Sequence, residues 1–414
     1  MISAALRERV ACPVCLEEAG CAACTAGGGH AGTCARYAER AGCACGGPDK
    51  VRLADEGAAL RCPCCGERYP VVADGGYLDL VPRASVGSVT QYADHEFHER
   101  LHVTDAPPVL SARVKADMMR RMLYGPGDDE REPVLDLGCG AGKMALYAGS
   151  HGGRAAGIDL APFFLPRAAR DLDLVVGDLR RLPFRKGSYP RAYSLDVLEH
   201  LDEAGVREVL TEARRTVGDR GRLFVYTHAM ESSRLARFQR AVNRLARRLG
   251  ERGLIDHERE AMRKSDHVNA IRSHEHFDAL CASAGLVVTE RRYYNVVFKA
   301  VVEDLLLRLY EQRRRGHTPA TADAAHAHPG THGTGAQAPP PGRIVLAIAH
   351  ALTWVLKLDV VLFGGIRTGP FFGLLRPASF APRLAASMMP GPPPVQTMKR
   401  RPSSVSPFDH LVSL

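Results

Sequence analysis

Ten consecutive residues, Val134-Leu135-Asp136-Leu137-Gly138-Cys139-Gly140-Ala141-Gly142-Lys143, constrain this chain more than any other stretch. An apolar run of strand type leads into a turn with glycine at three alternate positions, and a helical sequence follows. Glycine lets the backbone turn tightly and lets a ligand lie directly against it. From Val134 to Thr227 short β-rich runs alternate with helical stretches, which predicts β-α units on a parallel sheet. The 414 residues suffice for two or three domains, and 45% hydrophobic residues suffice for a core.

Two details set this turn apart from a dinucleotide-binding fingerprint. The third glycine falls at Gly142, earlier than dinucleotide binders carry it, and Asp136 precedes the glycines at the strand end. Acidic residues recur at the ends of the next runs. Asp159, in Gly157-Ile158-Asp159-Leu160, lies 23 residues after Asp136, where a second strand should end. A carboxylate there can accept hydrogen bonds from both hydroxyls of a ribose. Asp178 closes Val175-Val176-Gly177-Asp178-Leu179, where its carboxylate can meet an adenine amino group and the Leu179 backbone can donate. Asp196 opens Asp196-Val197-Leu198-Glu199-His200-Leu201, and Gly218 to Arg222 turns into a fifth strand, Leu223 to Thr227.

These segments resemble the class I S-adenosylmethionine (SAM)-dependent methyltransferases, and in style the small-molecule and quinone-type branch. The likeness spans residues 134–227, under a quarter of the chain. It implies a Rossmann-like α/β fold with a seven-stranded sheet whose last strand is reversed. It also implies cofactor contacts from Asp136, Gly138, Gly140, Gly142, Asp159, Leu160, Asp178, Leu179 and Asp196. Asp219-Arg220-Gly221 stands where the family usually has a Gly-Gly turn, a departure confined to the surface. Methyl transfer from a sulfonium is an in-line displacement that mainly demands alignment. A base is required only for an acceptor that is protonated when it attacks. His200 is the first candidate and His228 the second. No Asn/Asp-Pro-Pro-Tyr/Phe sequence follows the fourth run and no cysteine ends the fourth or fifth, which argues against adenine amino methylation and against a covalent cysteine mechanism on a pyrimidine.

Ten of the twelve cysteines lie between Cys12 and Cys65. Cys12-Pro-Val-Cys15 and Cys62-Pro-Cys64-Cys65 are paired knuckles that suit one tetrahedral zinc held by Cys12, Cys15, Cys62 and Cys65. The module, residues 1–82, resembles a zinc ribbon in which a strand hairpin follows each knuckle. Cys21, Cys24, Cys34, Cys43 and Cys45, with His30, could make a second site. A ribbon ahead of a methyltransferase also resembles certain ribosomal RNA guanine methyltransferases. That keeps RNA as an alternative acceptor, although basic residues are not concentrated in the ribbon.

The expected organisation continues with a methyltransferase domain over 83–315, a helical cap insert over 228–284, a disordered linker over 316–342 and an apolar tail over 343–414. In the insert, Leu235, Phe238, Val242, Leu245 and Leu249 make one apolar stripe among arginines. The tail is too interrupted by Lys357 and Asp359 to span a bilayer, yet Trp354, Phe363, Phe371 and Phe372 suit a membrane interface. The N-terminal residues carry no apolar run of signal length, so a cytoplasmic enzyme is expected, with peripheral membrane contact. The net charge of +9 is weak evidence for an anionic partner. The expected acceptor is a small or lipid-linked molecule. RNA, or a non-catalytic role as a SAM- and zinc-binding scaffold, are the alternatives.

Overall fold

The computed structural model describes residues 2–18, 52–63, 65–81, 106–255, 267–315 and 343–380. In chain order its strands are β1 (Ala54–Asp55), β2 (Ala59–Arg61), β3 (Arg68–Val72), β4 (Tyr77–Asp79), β5 (Val134–Leu137), β6 (Ala155–Asp159), β7 (Asp173–Val176), β8 (Arg191–Leu195), β9 (Arg222–His228), β10 (Leu286–Tyr293) and β11 (Pro370–Pro377). Hydrogen bonds join them into one sheet in the order β1-β2-β3-β4-β7-β6-β5-β8-β9-β11-β10. The sheet thus has eleven strands where seven are expected from sequence. Neighbours from β4 to β9 are parallel. β11 runs antiparallel to both β9 and β10, which is the reversed strand the family likeness implies.

Both faces of the centre are covered, so β5 is buried at every position, as a parallel strand between helices should be. β9 shows the two faces by alternation. Leu223 and Val225 join one core with helix Glu203–Val217 and helix His274–Ser283. Phe224 and Tyr226 join the opposite core with Val114, Met118 and Met122 of helix Leu110–Leu123 and with Leu356 and Val360 of helix Arg343–Phe363.

Several sequence expectations need correction. The Cys-rich module is continuous with the sheet: β4 pairs with β7, and Leu6, Val10, Leu60, Tyr69 and Leu78 share a core with Leu135 and Ile158. The first knuckle enters a helix, Pro13–Glu18, instead of a hairpin. The cap insert ends earlier than residue 284, because helix His274–Ser283 buries Phe277, Leu280 and Cys281 against the sheet. In helix Ala236–Glu251 Val242 and Ala246 are the buried residues, while Phe238 and Leu245 remain about half exposed. Beyond β10 the chain leaves the sheet after Tyr293 and turns into helix Val297–Val301.

The largest correction concerns the tail. Residues 370–377 form β11, and the two phenylalanines read as interfacial are fully buried, Phe371 in one core and Phe372 in the other. Residues 343–380 therefore belong to the same sheet and its cores. The middle of the ribbon with its five further cysteines, the linker over 316–342 and the chain beyond 380 lie outside the described residues.

Phe372 packs against Phe224, Tyr226 and Tyr294, with ring centroids 6.1, 5.0 and 5.7 Å away. Phe372→Ala is expected to lose about 3–5 kcal/mol in chemical denaturation, the usual range for a buried phenylalanine. A chain ending at Arg315 lacks β11 altogether and should not unfold cooperatively. Wild-type cooperativity in that shortened chain would show that β11 is not part of the sheet.

Candidate active site

The glycine turn leaves the C-terminal end of β5 with positive φ at Gly138, Gly140 and Gly142. At Gly138 a Cβ would strike the Val197 side chain at 2.4 Å, so the turn must pass bare beneath the loop after β8. At Gly140 nothing lies within 4 Å of an added Cβ, which leaves open space above the backbone for a ligand. Asp159, at the end of β6, ties this turn down. Its carboxylate accepts from Gly140 N at 2.7 Å and from Ala161 N at 3.1 Å.

Asp136 is 3% exposed and accepts from the Tyr193 hydroxyl at 2.9 Å. Burial, with the Asp159 charge nearby, pushes its carboxyl up to about 8, although the Tyr193 bond opposes the shift. Asp178 accepts from the Arg180 amide and is gripped by the Arg180 guanidinium through Nε at 3.0 Å and Nη2 at 2.7 Å. Burial raises its carboxyl, but Arg180 outweighs burial and holds it below the usual range. The predicted adenine contact thus already has a cationic partner. Leu179 opens the short 3-10 turn Leu179–Arg181, and Leu160 follows β6 directly.

Past β8 the chain turns sharply at Asp196, a non-glycine residue with φ 55°. Lys115, from helix Leu110–Leu123, meets the Asp196 carboxylate and sits 4.2 Å over the Tyr226 ring. Backbone strain of this kind costs about 1–3 kcal/mol and gathers at functional sites. Three residues on, Glu199 is 1% exposed. It accepts from the Thr227 hydroxyl at 3.1 Å and lies 3.5 Å from His228 Nδ1. Burial raises the Glu199 carboxyl, yet His228 and His200 beside it more than offset that and hold it below its ordinary value. The other nitrogen of His228 lies 3.4 Å from the Tyr226 hydroxyl. The two candidate bases therefore share one buried carboxylate. His200 stacks edge-on against His267, with ring centroids 4.7 Å apart.

The structure brings together Asp136, Asp159 and the glycine turn, and gathers Asp196, His200 and His228 at the ends of β8 and β9. Sequence reasoning passed over Glu199, Lys115, Tyr226 and His267. Glu199 was visible between Leu198 and His200, but Lys115 and His267 come from distant helical and loop sequence with no local signal.

The four knuckle cysteines also converge. Cys12 Sγ lies 3.5 Å from Cys65 Sγ and Cys15 Sγ 3.6 Å from Cys62 Sγ, with all four within 4.8 Å of one another. Zn–S bonds of about 2.3 Å set tetrahedral edges of about 3.8 Å, so the donor set fits zinc. The Tyr69 hydroxyl touches Cys12 Sγ at 3.0 Å.

Asp136 carries a pH prediction. Its folded value of about 8 lies above the ordinary 3.8, so the native chain keeps a proton that the unfolded chain has lost at pH 5 to 8. Stability contributed by this group is full below about pH 4 and falls as pH rises towards 8. In denaturation at pH 5 and pH 8, Asp136→Asn is expected to gain on the parent chain as pH rises. Parallel curves for the two proteins would contradict a neutral Asp136.

Residues 135–225 match the family described as a methyltransferase domain. A protein of Encephalitozoon cuniculi (strain GB-M1), carried under a provisional methyltransferase name, is 33% identical over 111 residues, which cover 26% of this chain and 50% of that protein. The 18S rRNA (guanine-N(7))-methyltransferase of Mus musculus is 37% identical over 75 residues, covering 17% of this chain and 27% of that enzyme. The chain thus spans half or less of the curated relatives it matches. Among solved structures, phosphoethanolamine N-methyltransferase 2 of Haemonchus contortus overlays with a TM-score of 0.41 at 14% identity, covering 70% of this chain and 61% of that one. Geranyl diphosphate C-methyltransferase of Streptomyces coelicolor A3(2) gives 0.36 at 14%, covering 72% and 86%. The methyltransferase-domain match thus falls on the strands β5 to β9 that carry the glycine turn and the strand-end acids.

Proposed function

We propose that the whole protein is a SAM-dependent methyltransferase whose acceptor is a small or lipid-linked molecule. The observation that carries this reading is the Asp159–Gly140 bond, which holds an open glycine turn against a carboxylate at the end of the neighbouring strand. SAM supplies an activated methyl group. Asp136, once ionised, faces the ammonium of its amino acid part, and Asp159 takes the ribose hydroxyls. Asp178 and the Leu179 backbone frame the adenine, with Leu160, Gly138, Gly142 and Asp196 lining the cleft. His228, oriented by Glu199, takes a proton from an acceptor that needs to lose one, and His200 stands beside it.

The four thiols are proposed to hold a structural zinc that pins helix Pro13–Glu18 to the turn between β2 and β3. The likeness to an rRNA guanine methyltransferase favours a second reading, RNA as acceptor, with the cysteine module as its grip.

The enzyme is proposed to work in the cytoplasm with peripheral membrane contact. Helix Arg343–Phe363 supports this by an inverted arrangement. Its charges point inward: Lys357 pairs with Asp117 at 2.7 Å, and the fully buried Asp359 accepts from Phe298 N at 3.0 Å. Its outward residues Ile344, Ile348, Trp354, Val361 and Leu362 are 46–77% exposed and, at about 100° per residue, fall on one side of the helix. By length and composition Ile344–Phe363 could also cross a membrane, but the inward Lys357 and Asp359 favour lying on the surface. The arginine-bearing helix Ala236–Glu251 packs on the same 297–307 segment and adds attraction of about 1 kcal/mol per basic group near anionic lipid.

Isothermal calorimetry should detect SAM binding, and Asp159→Ala should weaken it by about 1–3 kcal/mol, roughly 5- to 150-fold. Labelled SAM incubated with fractionated extract then identifies the acceptor. Label in RNA alone would select the second reading, and unchanged affinity in the variant would remove the ribose assignment. For the membrane contact, the full chain should pellet with anionic liposomes at low salt. A chain bearing Ile348→Asp and Leu362→Asp, both at exposed positions, should stay in the supernatant. Equal pelleting of both would exclude this face.

A further inference from the structure

Glu199, His200 and His267 each turn one donor atom, a carboxylate oxygen or an imidazole nitrogen, into a common space, and the three atoms lie within 4.8 Å of one another. Asp196, Glu199 and His228 form a second such group, so Glu199 is shared. The cluster is fixed by the main chain. Val268 N and Asn269 N both donate to the Glu199 carbonyl, at 2.9 and 3.0 Å, which locks the 267–269 segment onto the 3-10 turn Leu198–His200. Asn269 pays for that pairing with a φ of 52°.

Glu199 is a buried anion, and buried charges are paired or bound to metal. The His228 nitrogen, 3.5 Å away, is farther than a charge-assisted hydrogen bond of about 2.7–2.9 Å. The Thr227 hydroxyl is a neutral donor. Glu199 with His200 and His267 supplies one anionic oxygen and two imidazole nitrogens, the ligand types that zinc and its neighbours prefer. Two imidazoles and one carboxylate leave coordination positions open, as in catalytic sites.

We propose that Glu199, His200 and His267 bind a divalent transition-metal ion of the zinc class beside the methyl-transfer cleft. Metal–ligand bonds of about 2.1 Å bring donor atoms to about 3.4 Å from each other, so the two imidazoles swing inward on binding. The open positions take a hydroxyl oxygen of the acceptor, a step that rests on the methyltransferase reading. Coordination acidifies that hydroxyl, and its proton passes to His228. The oxygen–methyl bond then forms as the methyl–sulfur bond breaks, and S-adenosylhomocysteine leaves.

Cobalt(II) is the probe, added to full-length protein already supplied with one equivalent of zinc for the four thiols. One further equivalent should bind with weak visible bands and no thiolate charge-transfer band. His200→Ala and His267→Ala should each weaken it at least about tenfold, and a simple catechol should shift the bands. His267 is partly exposed, so its variant should fold even where a Glu199 variant does not. No second equivalent, or one indifferent to both histidine variants, overturns the site. Loss in His228→Ala with retention in His267→Ala overturns the ligand assignment in favour of the Asp196 group. No spectral shift with catechol overturns the acceptor role. SAM affinity is measured alongside: intact SAM binding without cobalt sinks only the metal, and cobalt binding without SAM binding sinks only the methyltransferase reading.

Discussion

The pairing of β11 between β9 and β10 is the constraint on which the rest of the sheet depends. β11 comes from the far end of the described chain, yet it fills the gap beside the strand that carries Thr227 and His228. Its hydrogen bonds run on both sides, with Pro370 opposite His228 and Phe371 opposite Tyr293. Phe371 and Phe372 point to opposite faces, so one dipeptide anchors both cores. Helix His274–Ser283 rests on one side of this strand through Phe277, and helix Arg343–Phe363 reaches the other core through Leu356 and Val360. The candidate base His228 is therefore held in place by residues more than 140 positions away in sequence.

At the opposite edge the same logic applies with a different fastening. β4 extends the parallel sheet beyond β7, and Ser3 bonds the Asp173 carboxylate that begins β7. Cys12, Cys15 and Cys62 lie in one core with Leu135 and Ile158. A metal on these thiols would cross-link the edge of the main sheet, so its influence would extend beyond the module itself.

The parallel core was legible because every signal for it is local. Apolar runs, glycine turns and strand-end acids recur within residues 134–227, and each of these features lies where that periodicity puts it. The paired knuckles were legible for the same reason, since tight turns fix cysteine spacing. β11 was not legible. Pro370-Phe371-Phe372 is as apolar as an interfacial anchor, and only partner strands more than 75 residues away in sequence decide that it is buried. Lys357 and Asp359 misled in the same way. Along the sequence they read as interruptions of an apolar run, but on the helix they turn inward to Asp117 and to the backbone of Phe298. His267 entered the site through its neighbours' hydrogen bonds to the Glu199 carbonyl, a long-range contact that no periodicity announces.

The buried charges divide into two kinds, and the division bears on function. Asp117 is met by Lys357 and a tyrosine hydroxyl and Asp359 by the Phe298 amide, so both lock helices together, although burial still pushes the Asp359 carboxyl up to about 6. Arg191 is likewise buried and met by Asp128 and Glu132. Around Glu199 the answer is looser, a neutral hydroxyl and an imidazole at 3.5 Å, in a setting where Asp196 and Asn269 are both strained. Glu199 is nonetheless held below its ordinary value by the imidazoles beside it, so the ends of β8 and β9 gather an ionised carboxylate and three histidines in one place. That cluster sits beside the open glycine turn, where a methyl donor and an acceptor would have to meet.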